Sequence, residues 1–117
     1  MSGKVFVVQE PRRPGGSAVY DISPAQQYGE LHLLLPAGAV SLNPAPMVQE
    51  LRHKLRNFSD DDYLLATGDP VAIGIATAVA ASFNRGRVRM LRWNKQAGCY
   101  VEIPFNVHGG VCHGVGL

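Results

Sequence analysis

The chain has 117 residues, 46% of them hydrophobic and 17% charged, with a net charge of +2, and this length gives room for one domain with a conventional core. The hydrophobic content excludes a disordered chain, and the small net charge excludes polyanion binding driven by bulk charge, so only the placement of the charges is informative. Two cysteines, Cys99 and Cys112, are too few for a disulfide framework, and the uncharged run from Pro70 to Asn84 is 15 residues, short of a membrane span.

The opening Met1-Ser2-Gly3-Lys4 lacks the charged and apolar regions of a signal peptide, so a reducing cytoplasm is the expected setting. Lys4 to Gln9 is β-branched and aromatic and predicts a first strand, stopped by Pro11 because proline cannot continue a central ladder. From Arg12 to Gly29 the prolines and glycines predict a long connection, with Ser23 capping a single turn begun by Pro24. Arg12 and Arg13 beside glycines have the makings of an anion grip, against the plainer reading of a solvated loop. Glu30 to Leu35 predicts a second strand, in which His32 is assigned no role.

Pro44 to Phe58 has the pattern of an amphipathic helix. Met47, Val48, Leu51, Leu55 and Phe58 form one stripe, and Glu50 and Lys54 are spaced for an i,i+4 ion pair. Arg52 and Arg56 share a basic outer face that reads as a solvated surface. Asp62 to Thr67 predicts a central strand, Gly68-Asp69-Pro70 a turn, and Val71 to Phe83 a helix with no charged face. Asp69 suits the N-cap, where its carboxylate accepts a first-turn N–H, and Pro70 suits the first helical position. This alternation of strand and helix predicts parallel strands joined by right-handed crossovers. Arg87 to Trp93 and Cys99 to Phe105 then predict a hairpin around Asn94 to Gly98, with Gly98 left-handed and Cys99, Val101, Ile103 and Phe105 on the core side. Residues 106–117 read as a glycine-rich tail, which leaves 1–105 as the domain.

Three places have the residues for function. The uncharged helix repeats Ala72, Ala76 and Ala80, and separately Gly74, Ala78 and Ser82, every four residues. Small residues at that spacing admit a second helix closely, so Ala72, Ala76, Ala78 and Ala80 are candidates for a homodimer interface, against plain core packing. The hairpin from Arg85 to Tyr100 interleaves Arg87, Arg89 and Arg92 with Trp93 and Tyr100, the mixture that single-stranded nucleic acid needs for phosphates and stacked bases. Charged residues on an edge strand also resist aggregation, which explains the same arginines without a ligand. The Gly68 turn is the place for a nucleotide-handling enzyme, but it has one glycine, a proline and a carboxylate where a phosphate would sit. His108, Cys112 and His113 lack zinc-ligand spacing, so no metal, cofactor or catalytic residue is expected.

The stretch from Phe58 to Ile103, with FSDDDYLLATGDP, the Ala-rich helix ending in Asn84-Arg85-Gly86-Arg87, and VRMLRWNKQAGCYVEI, resembles a group of short, functionally uncharacterised proteins encoded by tailed bacteriophages and prophages. The resemblance implies a host cytoplasmic setting and binding to a host protein or assembly, and carries over no catalytic residue. The sequence as a whole predicts a single α/β domain with a mixed sheet of about four to five strands, two main helices and a C-terminal β-hairpin. The functional expectation is a non-enzymatic binding protein without a membrane segment, a homodimer, with nucleic-acid binding by the hairpin as the alternative.

Overall fold

The computed structural model describes residues 3–11, 21–38 and 40–110. Five strands form one mixed sheet: β1 (Lys4–Gln9), β2 (Glu30–Leu35), β3 (Tyr63–Leu65), β4 (Arg87–Asn94) and β5 (Cys99–Asn106). Two α-helices connect them, α1 (Ala45–Leu55) and α2 (Pro70–Phe83), and a 3-10 turn spans Ser23–Tyr28. The strand order is β2-β1-β3-β4-β5; the first four strands are parallel and β5 is antiparallel to β4. The alternation and the hairpin legible in the sequence are therefore both present.

The order dictates how the faces are covered. From β1 the chain steps outward to β2, then back past β1 to β3 and on to β4. Crossovers of one hand that step in opposite directions must pass over opposite faces. Accordingly α1 and α2 lie together on one face, over Phe6, Val8, Leu34, Leu64 and Val88. The 3-10 turn crosses the other face, over Val5, Val7, Leu65 and Leu91. Burial of Leu51, Leu55 and Leu64, each 0% exposed, locks α1 to the sheet, and truncating any one of them to Ala costs about 2–5 kcal/mol.

Local chemistry accounts for most element ends. Asp69 has extended φ/ψ and its Oδ1 accepts the Val71 N–H at 2.8 Å, with Pro70 in the first turn, as the sequence predicts. The hairpin closes with Gly98 at φ 69, while Asn94 Oδ1 accepts from the N–H groups of Gln96 and Ala97. Glu50 and Lys54 pair at 2.8 Å. The turn at Ser23 differs from expectation: Ser23 does not cap it, and instead the Asp21 carboxylate accepts the Ser23 N–H and hydroxyl. Those two hydrogen bonds, the backbone one first, hold the Asp21 carboxyl below its ordinary range.

The hairpin's inward side also differs from expectation. Phe105 packs on the helix-side core, but Cys99 is exposed, Ile103 is 38% exposed, and Tyr100 from the opposite set is only 4% exposed. The alternation rule assumes one covered face, whereas β5 is an outer strand and its other face meets the 3-10 turn. There Tyr28 donates its hydroxyl to the Tyr100 carbonyl at 3.1 Å. Residues 12–20, including Arg12 and Arg13, and 111–117, including Cys112 and His113, lie outside the described residues, so the readings made there stay with the sequence.

Candidate functional site

In a sheet of this order the connections diverge between β1 and β3, and the crevice beyond their carboxyl ends is where α/β proteins commonly bind ligands. Here that crevice is filled by a side chain. Gln9, 5% exposed, accepts the Asp69 N–H on Oε1 at 2.7 Å and donates through Nε2 to the Gly38 carbonyl. Gly68, at φ 115, lies so close that an added Cβ would stand 2.4 Å from the Gln9 Cβ. With Asp69 capping α2 and Gln9 packed on Gly68, the turn has the geometry of a structural joint. A phosphate would have to displace Gln9 and face the negative charge of Asp69.

The sheet divides the hairpin residues between its two faces. Leu91 belongs to the core under the 3-10 turn, so Arg87, Arg89 and Trp93 share that face with Tyr100, and Arg92 points to the other. Arg87 is held by Asp60, with Nε at 2.9 Å and Nη2 at 3.0 Å, and the Asn84 amide donates to the same carboxylate at 2.9 Å. The Arg87 hydrogen bonds first, then that of Asn84, hold the Asp60 carboxyl below its ordinary range. Arg89 lies over the Tyr63 ring, 4.1 Å from its centroid, and pairs with Glu102 at 3.6 Å. Burial pushes the Tyr63 hydroxyl pKa up. Trp93, 42% exposed, stacks edge-to-face on Tyr100 at 5.0 Å. The face is thus an aromatic and arginine surface whose two arginines are already matched by carboxylates.

The four alanines of α2 likewise separate. Ala72, Ala76 and Ala80 are each 0% exposed and pack inward. Ala78 is exposed and lines up with exposed Val71, Gly74 and Ser82 and half-buried Ile75 on the arc turned away from the sheet. An added Cβ at Gly74 would meet nothing within 4 Å. No charged side chain occurs between Pro70 and Phe83. Charges stand only at the ends of this arc: Asp69 at the start of the helix, and exposed Arg85, at φ 58, just past its end. Arg85 has no ion-pair partner among the described residues.

A further cleft was not legible in the sequence. A cleft of about 530 Å³ opens beside β2, between that strand and the end of α1. It gathers Lys4 from β1, His32 from β2, and His53, Lys54 and Arg56 from α1 and its end. Lys54 Nζ donates to the Leu34 carbonyl at 2.7 Å, and His32 Nε2 lies 2.6 Å from Glu30 Oε1. Asp62 also lines the cleft, but its carboxylate is occupied by the Lys4 N–H, the Ser59 N–H and the Ser59 hydroxyl. The only sequence signal was the basic stripe of α1, and His32 had no assigned role.

No group of His, Cys, Asp and Glu among the described residues has the arrangement to hold a metal ion. No helix among them is long and apolar enough to cross a membrane. No curated protein and no solved structure matches the chain. Residues 3–107 match the model of the Phage Pam3 gp32-like protein family, and the chain belongs to that family.

Proposed function

We propose that this phage-family chain is a non-enzymatic binding protein of the infected host's cytoplasm, a homodimer that acts on a host protein or assembly. The observation that carries the reading is the solvent-facing arc of α2: uncharged along its length, small at Gly74 and Ala78, with Asp69 at one end and Arg85 at the other. Such an arc is self-complementary. A two-fold axis near Ala78 runs two copies of α2 antiparallel, so that the small residues let the backbones approach and the helix dipoles oppose. The same axis brings Asp69 of each copy toward Arg85 of the other, and an apolar arc left uncovered would be an aggregation liability. A dimer of this kind keeps both sheet edges and both clefts open for a partner.

Catalysis has little support: the crevice at the β1–β3 divergence is filled by Gln9, and the hairpin arginines are matched by Asp60 and Glu102. Affinity capture from host lysate, with and without nuclease, tests the reading. A protein retained after nuclease treatment supports it. Retention that disappears with nuclease and with Arg87→Gln, Arg89→Gln and Arg92→Gln combined overturns it in favour of nucleic-acid binding by the hairpin.

A further inference from the structure

We infer that the open edge of β2 and the cleft beside it bind an extended peptide in which acidic residues alternate with apolar ones. This names a partner for the binding role proposed above and rests on it. Among the described residues β2 pairs only with β1, so its other side offers backbone donors and acceptors to an added strand, apart from the Leu34 carbonyl, which Lys54 Nζ already occupies at 2.7 Å. The opposite edge is less available, because Pro104 stands within β5 and supplies no N–H.

The two faces of β2 set the side-chain chemistry of such a strand. On the helix face His32 stacks on Phe6 with ring centroids 5.9 Å apart, and the cleft beyond it is walled by Lys4, Lys54, Arg56 and His53. Lys54 is held at the rim by its bond to the Leu34 carbonyl and by its ion pair with Glu50 at 2.8 Å, so Lys4 and Arg56 are the cations left to meet a carboxylate on the added strand. The carboxylate of Asp62 is spent on three donors, and Asp61 lies at the far end, against Gly3. On the other face Leu31 packs against Val5 and Val7, and Leu33 is 47% exposed, an apolar strip that continues to the edge. Glu30, on the face of β2 that carries His32, is engaged by His32 at 2.6 Å, so a strand laid beyond it turns alternate residues to Lys4 and Arg56 and to the leucines.

The test is fluorescence anisotropy with a labelled, end-capped peptide of four Glu-Val repeats, and a second in which Lys replaces Glu. The acidic peptide should bind with an affinity that falls as salt rises, and the Lys peptide should not bind. Arg56→Gln and Lys4→Gln, both at exposed positions, should each weaken binding about two- to fivefold. Leu33→Glu should weaken it further, with circular dichroism confirming that the fold is kept. No binding at low salt, equal binding of both peptides, or indifference to Arg56→Gln and Lys4→Gln would overturn the inference. The dimer is scored separately, since Ala78→Glu should leave peptide affinity unchanged. A wild-type dimer that binds no peptide sinks this inference alone, and a wild-type monomer that binds it sinks the two-fold pairing alone.

Discussion

Asp69 carries two separable duties, and two substitutions at that one position pull them apart. Its Oδ1 caps α2 through the Val71 N–H at 2.8 Å, while in the proposed dimer its charge would meet Arg85 of the second copy. Asp69→Ala removes both. The lost cap costs about 1 kcal/mol. For a chain of this length that lowers Tm by about 3–6 °C. Asp69→Asn keeps a good cap but removes the charge, so the monomer should melt within about 2 °C of wild type, the residue reflecting a weakened helix-dipole interaction. The dimer does not distinguish the two variants, since both remove the charge. Each exposed ion pair is worth about 0.2–1 kcal/mol and the two-fold axis makes two of them, so both variants should raise the dimer dissociation constant by about 2- to 30-fold. Calorimetry on dilute, dissociated protein reads the first effect and sedimentation velocity across a concentration series reads the second. If Asp69→Asn melts as low as Asp69→Ala, the cap geometry is wrong. If neither variant moves the dissociation constant, the proposed pairing of helix ends is wrong.

Two further changes probe the joints that hold the surfaces in place. Gly68→Ala forces an L-residue to φ 115 and drives a Cβ into Gln9, so it should destabilise by about 2–4 kcal/mol in thermal melts, and a neutral result would contradict the plugged crevice. Asp60, its carboxyl held low by Arg87 and Asn84, has a depressed folded-state pKa, so its contribution is present above the unfolded value of about 3.9 and is lost as pH falls through the folded one. Because its side chain is 58% exposed the contribution is at most about 1 kcal/mol; Asp60→Asn should flatten the acid limb of stability below about pH 4, and an unchanged limb would argue against the latch.

The elements were legible where the determining chemistry is local. Asp69-Pro70 marks the start of α2, Gly98 marks the hairpin, and Glu50 with Lys54 sits one helical turn apart, so neighbours in sequence settle each of them. What depends on distant partners was not legible. Tyr100 is buried because Tyr28, 72 residues earlier, reaches across the sheet to it, and the strand's own alternation contains no trace of that. The hairpin arginines looked available because Asp60 and Glu102 come from other segments or the facing strand. Gln9 ends an apolar strand unremarkably, yet the strand order places it in the crevice where α/β sheets of this order commonly bind ligands. For α2 the sequence showed two small-residue repeats but not which faced the sheet, a choice fixed only when α1 packs alongside. The cleft beside β2 is assembled from Lys4, His32 and the end of α1, separated by up to 52 residues in the chain, so no window along the sequence could contain it.

Light scattering paired with circular dichroism on Ala78→Glu and Ala76→Glu decides whether the outward arc of α2 pairs with a second copy. Ala78 is exposed and Ala76 is 0% exposed, so a charge at the first should leave a folded chain and a charge at the second should unfold it. The wild type should be a dimer at tens of micromolar, roughly where weak but specific pairs are populated, and Ala78→Glu a folded monomer. A wild type that is monomeric at that concentration, or an Ala78→Glu variant that remains a folded dimer, would contradict that pairing.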